Sequence, residues 1–442
     1  MADHGRNPDQ KTPGIGLLAV LLGAVAAGPI MLYGLSATSD SIIAELGISE
    51  AHFGLLATTC FGAAAIGNAT LGRLADRHSD LSLMAFIFVL AALALLLVAV
   101  PDGFWLLLVA AALSGIAQSF PNGVTNRILL ERVPDTKRIG WVGIKQSGVQ
   151  VSQLVASLAF PVLALGIGWR GAALTVAIIP LILLALTWYS LRTTPLLTAP
   201  KTSTDTTLEP ETDTPAEAAD PTPGTIPTDT TDTPAEAAHR DPEPGPDRPA
   251  RHPGMVWALA LFGLINGIGV QATNVYIPLF AVREMGFSLV LGGATAALAG
   301  VIGVIARVTW ARRMAKGASG PRLLLVLAFI ALGGAVLFLI ADAAGWALLV
   351  WVAVAFHGIS ALGVSVVLMA ALMRAIPASS MVSASGMVTA GMFFGFALGP
   401  LLMGLIVGSP GGFVLGWITV GITYLLCVVL AFVLIRVSAQ RA

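Results

Sequence analysis

Charged side chains are scarce in this sequence. Asp, Glu, Lys and Arg make up 11% of its 442 residues, whereas a soluble domain carries about 25%. Hydrophobic residues make up 56%, and the mean hydropathy is +0.86. Such a chain cannot cover a water-exposed surface, so the composition excludes a soluble globular protein and predicts a membrane protein with several spans. The net charge is zero, so no nucleic-acid partner is expected.

Cysteine and catalytic motifs are also scarce. The two cysteines, Cys60 and Cys427, lie in apolar runs far apart, so no disulfide framework is predicted. No His-Glu-x-x-His motif occurs, and no metal or other cofactor is expected. The tetrapeptide GASG at 317–320 mimics a serine-hydrolase motif, but it lies in a basic loop without histidine. A membrane enzyme is therefore not expected. A non-transporting sensor, the other alternative, would be expected to carry a folded soluble domain.

Twelve apolar runs are long enough to cross a bilayer, which takes roughly 20 residues. They lie near 15–36, 51–71, 81–100, 104–126, 141–163, 171–191, 255–277, 287–306, 323–341, 345–372, 381–407 and 413–435. The sequence therefore predicts an all-α membrane protein with twelve transmembrane helices. They form two six-helix bundles, at 15–192 and 254–436.

The segment between the bundles has a different composition. Residues 193–253 are rich in Pro, Thr, Asp, Glu and Ala, and the octet TDTPAEAA occurs at 212–219 and again at 231–238. The segment also holds twelve of the 24 acidic residues. It cannot bury enough apolar surface to order itself, so a disordered linker is predicted.

The distribution of Lys and Arg predicts the orientation. With the N-terminus inside, 21 of the 24 basic residues fall on the inner side, and the outer loops receive Arg170 and Arg283. Cytoplasmic loops of membrane proteins carry this excess. The tails 1–14 and 437–442 and the linker are therefore predicted to be cytoplasmic. A composition rich in Ala, Gly and Arg suggests a bacterial source, and hence the inner membrane.

The two halves look like diverged copies. Residues 147–161 read SGVQVSQLVASLAFP, and residues 385–400 read SGMVTAGMFFGFALGP. Each segment begins with Ser-Gly and carries a proline about 14 residues later. Two repeats joined by a cytoplasmic linker are typical of one large class of transporters.

The loop after the second run, GRLADRHSD, carries a family resemblance. It resembles the signature Gly-x-x-x-Asp-Arg-x-Gly-Arg-Lys of the major facilitator superfamily, with Gly72, Asp76 and Arg77 at the matching positions. Ser79 replaces the signature's glycine, and Asp80 with Leu81 replaces its basic pair. The resemblance implies that Gly72, Asp76 and Arg77 form a cytoplasmic gate. It also implies secondary transport by alternating access between two bundles.

Two shorter motifs resemble a narrower group. GIKQSG at 143–148 and GWR at 168–170 are similar to motifs of bacterial transporters related to the cyanate and nitroimidazolyl-drug transporters. This resemblance implies a small solute as the substrate.

Amides recur on the faces of three predicted helices. Polar groups facing lipid are costly, so such a face should contact another helix or a water-filled cavity. The residues are Gln146, Gln150 and Gln153 in the fifth run; Ser114, Gln118, Asn122, Thr125 and Asn126 in the fourth, where Pro121 would kink the helix; and Asn266, Gln271 and Asn274 in the seventh. Each stripe either lines a substrate cavity or joins helices by hydrogen bonds.

Three single residues have two interpretations each. Lys145 lies beside the glutamine face of the fifth run, and it either reaches the cavity or extends to the cytoplasm. His357, near the middle of the tenth run, either contacts a proton or substrate or is a structural histidine. Tyr33, towards the outer end of the first run, either contacts substrate or marks the membrane interface.

Glycines recur every four residues in the eleventh run. Gly391, Gly395 and Gly399 form a tandem GxxxG pattern before Pro400. This pattern predicts close packing against another helix.

The missing mid-membrane carboxylates favour an anion as the substrate. Exporters of cations commonly use such a carboxylate, whereas an ammonium and amides suit an anion. We therefore predict a secondary transporter of a small organic or inorganic anion, with drug or metabolite efflux as the alternative. The expected partners are the substrate, the lipid bilayer and a coupling proton carried by His357 or Lys145, with uniport or exchange left open. The chain is expected to act as a monomer.

Overall fold

The computed structural model describes residues 14–70, 77–101, 103–194, 253–376 and 380–439. Within these ranges all regular elements are helices. Nearly all of the predicted linker 193–253, most of the tail 1–14 and the end of the tail 437–442 lie outside the described residues.

The helices of the first half are α1 (Ile15–Ala27), α2 (Ile30–Ala37), α3 (Ser39–Leu46), α4 (Glu50–Thr70), α5 (Asp80–Ala99), α6 (Gly103–Ala117), α7 (Pro121–Arg132), α8 (Asp135–Gln146), α9 (Gly148–Val176) and α10 (Ile178–Thr193). Those of the second half are α11 (Pro253–Arg283), α12 (Leu289–Ala315), α13 (Gly320–Ala344), α14 (Ala347–Ser360), α15 (Val364–Ala375), α16 (Met381–Val407) and α17 (Gly412–Ala439). A 3-10 turn, Ala361–Gly363, joins α14 to α15.

Nine helical segments of the described part are long and apolar enough to cross a membrane. They are Asp80–Ala99, Gly103–Arg132, Gly140–Thr193, Gly254–Arg283, Leu289–Ala315, Gly320–Ala344, Ala347–Ala375, Ser383–Val407 and Gly412–Val437. The bent pair α1 and α2 makes a tenth if it is one span. The predicted class, an all-helical protein with many membrane spans, is confirmed.

Several predicted runs are broken helices. The first run bends by 57° between α1 and α2, at Gly28 and Pro29, because proline lacks the N–H that would continue the helix. The fourth run breaks before Pro121, as its sequence predicts. A third break lies at Gly168, where a positive φ of 70° separates the fifth run from the sixth.

Helices pack mainly within their own half of the chain, and two pairs make the main contacts between the halves. In one pair α9 packs against α12, and in the other α4 packs against α16. We call these the α9–α12 seam and the α4–α16 seam. They pair the fifth run of each half with the second run of the other half, as expected for two related bundles.

Each seam rests on a glycine packed beside a proline-containing turn. At the α9–α12 seam, a Cβ on Gly293 would collide with the Ser157 carbonyl and the Pro161 ring. At the α4–α16 seam, a Cβ on Gly54 would collide with the Pro400 carbonyl. Because the clashes involve backbone atoms, neither seam could close as tightly with a larger residue.

The predicted glycine repeat lies where α16 packs against α11. A Cβ on Gly391, Gly395 or Gly399 would meet a backbone carbonyl of α11 at a distance that real side chains do not reach. The carbonyls belong to Ala260, Leu264 and Ile268, one helical turn apart. The register of α16 on α11 therefore depends on these three glycines. This register determines which side chains of the two helices line the space between the halves.

We predict that Gly395→Ala destabilises the purified protein by about 1–3 kcal/mol, the usual effect of overpacking a tight contact. The matched control is Gly386→Ala on the same helix, where an added Cβ meets no atom within 4 Å. It should be neutral or slightly stabilising, since alanine favours helix more than glycine does. Thermal unfolding in detergent measures both, and equal melting temperatures would contradict this packing.

Candidate functional site

A cavity of about 720 Å³ lies between the two halves. The helices α2, α4, α7, α8, α9, α11, α12, α15 and α16 contribute to its lining. It runs from Tyr33, which is buried, to the exposed side chains of Met373 and Arg374 near the end of α15. We call the end at Arg374 the open end.

Amides from the first half line one side of the cavity. Gln118 lies at the break between α6 and α7, and Asn122 lies in the first turn of α7. Gln146 ends α8, and its Nε2 donates to Asn122 Oδ1 at 3.2 Å. Gln150 follows on α9 and is almost fully buried, with no hydrogen-bond partner for its Oε1. These four residues and Tyr33 all lie where the sequence predicts a cavity.

Amides of α11 form a second wall. Asn266, Gln271 and Asn274 line the cavity, each less than a tenth exposed. Gln271 Oε1 and Asn274 Nδ2 are buried without hydrogen-bond partners. A buried polar atom left unpaired is destabilising, so this wall keeps hydrogen-bonding capacity that its own side chains do not use.

His357 lies behind this wall and does not line the cavity. Its Nε2 is 3.0 Å from Asn274 Oδ1, and Gln153 Nε2 donates to the same oxygen at 3.3 Å. The histidine is 2% exposed. Of its two interpretations, the structural one fits this geometry, because the ring orients a cavity residue instead of facing the cavity.

Lys145 also lies away from the cavity. Its ammonium donates to Thr125 Oγ1 and to Asn126 Oδ1, both at 2.6 Å, and the side chain is fully buried. It neither lines the cavity nor extends to water, so both interpretations made from the sequence differ from the structure. The reason is local: the helix is interrupted at Ser147, so Lys145 belongs to α8 and points at α7.

Two cations of the described residues line the cavity: Arg374 at the open end and Arg307 further inside. The sequence places Arg307 in a loop after a run ending at residue 306, but α12 continues to Ala315 and holds it inside the span. Arg307 Nε donates to the Leu362 carbonyl at 3.2 Å. Its Nη1 donates across the α9–α12 seam to the Gln146 carbonyl at 3.1 Å.

No carboxylate of the described residues pairs with Arg307. The lining, as far as the structure describes it, contains no Asp or Glu at all. An anion could therefore accept hydrogen bonds here from a cation that is not already paired.

The opposite end is closed by ion pairs between the halves. Arg283, at the end of α11, donates to Asp40 Oδ1 at 2.7 Å and to Glu50 Oε1 at 2.5 Å. The Tyr276 hydroxyl donates to the Glu50 carbonyl at 2.6 Å. Ser36 Oγ donates to the Val275 carbonyl at 2.7 Å. We call this the closed end.

The GWR motif lies at the closed end but acts within the first half. Arg170 forms an ion pair with Glu45, and Trp169 Nε1 donates to Glu45 Oε2 at 2.6 Å. Partial burial raises the pKa of Glu45, but these hydrogen bonds outweigh it, so the pKa lies below the usual carboxyl value. The contact ties α3 to α9 without reaching the other half.

Most of the predicted gate motif lies outside the residues that the structure describes. Gly72 and Asp76 lie outside the described residues, and Arg77 is exposed. The role of the three residues as a cytoplasmic gate stays a prediction. Among the described residues no cluster of three metal-ligating side chains occurs.

The described helices enclose a polar cavity large enough for a small molecule between the two halves of the chain. The chain belongs to the Major Facilitator Superfamily, whose family model matches residues 19–389.

Its relatives are transporters. A Haemophilus influenzae protein assigned to metabolite transport is 30% identical over 132 residues, an alignment that covers 30% of this chain and 32% of that protein. Two inward-facing structures of a bacterial homologue of the human lysosomal transporter Spinster are similar in fold. The unoccupied one has a TM-score of 0.67 and the occupied one 0.69, each at 15% identity. The alignments cover 97% and 98% of this chain, and 96% and 98% of those structures.

The nucleoside transporter NupG has the same fold. Its TM-score is 0.64 at 15% identity, over 95% of this chain and 98% of NupG. At this level of identity the solved structures support the fold alone.

We predict that Arg283→Gln loosens the closed end, because both ion pairs across the halves depend on that guanidinium. The readout is the rate at which maleimide labels Val275→Cys, a buried position on α11, in a background without Cys60 and Cys427. Labelling should become several-fold faster.

The matched control is Arg170→Gln, which removes an ion pair at the same end but within one half. It should leave the labelling rate of Val275→Cys unchanged. Equal acceleration by both variants would mean that Arg283 contributes only general stability.

Proposed function

We propose that the protein is a secondary transporter of an organic or inorganic anion, working by alternating access between its two bundles. The observation that supports this most directly is Arg307, a cavity guanidinium with no carboxylate partner among the described residues. Guanidinium binds carboxylates and similar groups through two parallel hydrogen bonds. Amides of both halves surround the same space and can donate further bonds to the anion's oxygens.

The proposal includes twelve membrane crossings. The span Gly140–Thr193 is 54 residues long and non-helical at Gly168. At 1.5 Å per residue it is far too long for one crossing of a bilayer core of roughly 30 Å, so we count it as two. The bent pair α1 and α2 and the apolar helix α4 supply the remaining crossings.

The conformation corresponds to an inward-open state in this proposal. The open end carries Arg374, and the nearby end of α12 carries Arg312 and Arg313 in its last turn, followed by Lys316. Because cytoplasmic sides carry excess Lys and Arg, this end would face the cytoplasm of a bacterial cell, with both termini on the same side. The closed end, held by Arg283, would then face outwards.

The resemblance of GIKQSG and GWR to the cyanate and nitroimidazolyl-drug transporters is compatible with a small solute. We assign no direction of transport from it. The roles of Gly72, Asp76 and Arg77 as a cytoplasmic gate fit the same cycle, because they follow the second run of the first half.

We predict that anions stabilise the purified protein against heat through Arg307. Carboxylates and cyanate should raise the melting temperature of the wild type, and cationic drugs should not. Arg307→Gln should lower the affinity for the stabilising anions by about tenfold or more, the usual effect of losing a charge-assisted hydrogen bond. Arg307→Lys should retain part of the effect, because it keeps the charge but loses the planar fork.

Lys145→Met is the matched control for Arg307→Gln. It removes a buried cation that does not line the cavity. It should therefore change overall stability without lowering the affinity for anions. Stabilisation by cationic drugs that survives in Arg307→Gln would overturn the proposed anion specificity. Anion affinity that depends on Lys145 and not on Arg307 would overturn the assignment of the site.

A further inference from the structure

The two seams give the cavity two chemically different sides. Arg307 on α12 and Gln150 on α9 line the cavity at the α9–α12 seam, and Gln146, the last residue of α8, lies next to them in the lining. At the α4–α16 seam three aromatic residues line the cavity, Phe61 on α4 with Phe393 and Phe396 on α16, beside Thr389 and Met392 of the same helix. The amides of α11 line the cavity between these two sides. The polarity of the lining therefore falls from the α9–α12 seam to the α4–α16 seam.

Phe396 is the centre of the aromatic side. Its ring centroid is 5.6 Å from that of Phe61 and 5.6 Å from that of Phe393. These rings come from both halves, so they form one surface across the α4–α16 seam. A Cβ on Gly267 of α11 would be 3.2 Å from Phe396 Cδ1. The aromatic surface therefore adjoins the amide wall, because Gly267 lies between Asn266 and Gln271.

Methionines of α12, α15 and α16 add further apolar surface to the cavity. Those lining the cavity are Met314, Met369, Met373 and Met392. Methionine is flexible and polarisable, and it adapts to apolar ligands of different shapes, with favourable contacts to aromatic rings.

The cavity is larger than a very small anion requires. Its volume of about 720 Å³ lies in the range of about 300–1,000 Å³ that is usual for drug-sized ligands. A three-atom inorganic anion would touch one seam at a time and leave the aromatic surface in contact with water.

We propose that the substrate is an amphiphilic organic anion, with its charged group on Arg307 and its apolar, ring-bearing body against Phe61, Phe393 and Phe396. This inference rests on the proposed anion transport and narrows its substrate class. Burial of a ring among aromatic side chains adds affinity that charge alone does not supply. The amides of α11 would then favour substrates that carry a polar group between the charged group and the ring.

Three matched probes separate the two contributions. 3-Phenylpropionate has both charge and ring, propionate has the charge alone, and 3-phenylpropanamide has the ring alone. Calorimetry with the purified full-length protein should give 3-phenylpropionate an affinity roughly tenfold or more above that of either other probe. 2-Naphthylacetate and 3-indolepropionate serve as further acids of the same class.

Phe396→Ala should lower the affinity for 3-phenylpropionate by roughly tenfold and leave the affinity for propionate unchanged. Phe396→Tyr, which keeps the ring, should restore the affinity. The matched control is Phe394→Ala on the same helix, because Phe394 is 57% exposed and does not line the cavity. It should bind all three probes as the wild type does, which separates loss of the aromatic surface from damage to α16.

The outcomes distinguish this inference from the proposed function. If propionate binds as tightly as 3-phenylpropionate and Phe396→Ala changes neither, the amphiphilic class is wrong while anion transport stands. If the acid and the amide bind equally and Arg307→Gln has no effect, the proposed function itself is wrong. Absence of binding by all three ring-bearing acids would also overturn the inference.

Discussion

The guanidinium of Arg307 lies in a membrane cavity where no described carboxylate pairs with it, and the proposed site depends on this constraint. A charge in a low-dielectric environment is costly unless it is paired or hydrogen-bonded. Arg307 receives partial compensation from two backbone carbonyls, those of Leu362 and Gln146. That compensation is dipolar, so an entering anion supplies a counter-charge that the described protein atoms do not. Because the Gln146 carbonyl belongs to the other half, the same side chain joins the binding site to the α9–α12 seam.

The charges at the closed end follow the opposite arrangement. Arg283 is already paired with Asp40 and Glu50, and both carboxylates belong to the other half. A matched pair across the halves stabilises the conformation in which they meet, and it offers little to a ligand. Each pair is partly exposed and therefore weak by itself. In the proposed alternating-access cycle such contacts suit a conformation that must open again. The charge of Arg307, which no described carboxylate pairs with, suits recognition of the proposed anion.

The sequence predicted the frame of the molecule better than its site. Hydropathy located the helices, and the amide stripes located Gln118, Asn122, Gln146, Gln150 and the wall on α11, because polar residues in apolar runs are conspicuous. Arg307 was missed since a charge ends an apolar window, although the helix itself continues to Ala315. For Lys145 the sequence leaves open the cavity or the cytoplasm, and both alternatives assume one helix through Ser147. The contact of His357 with Asn274 joins residues 83 positions apart, which no local pattern reveals.

The symmetry of the frame and the asymmetry of the site have one physical origin. The seams depend on glycines packed against backbone atoms, at Gly54 and Gly293, so they do not specify the larger side chains that line the cavity. Those side chains could diverge between the two repeats without disturbing the packing. The α9–α12 seam thus carries a guanidinium and amides, while the equivalent α4–α16 seam carries three phenylalanines. The two halves therefore enclose a space with one charged side and one aromatic side, and the amphiphilic anion that we propose has the same asymmetry.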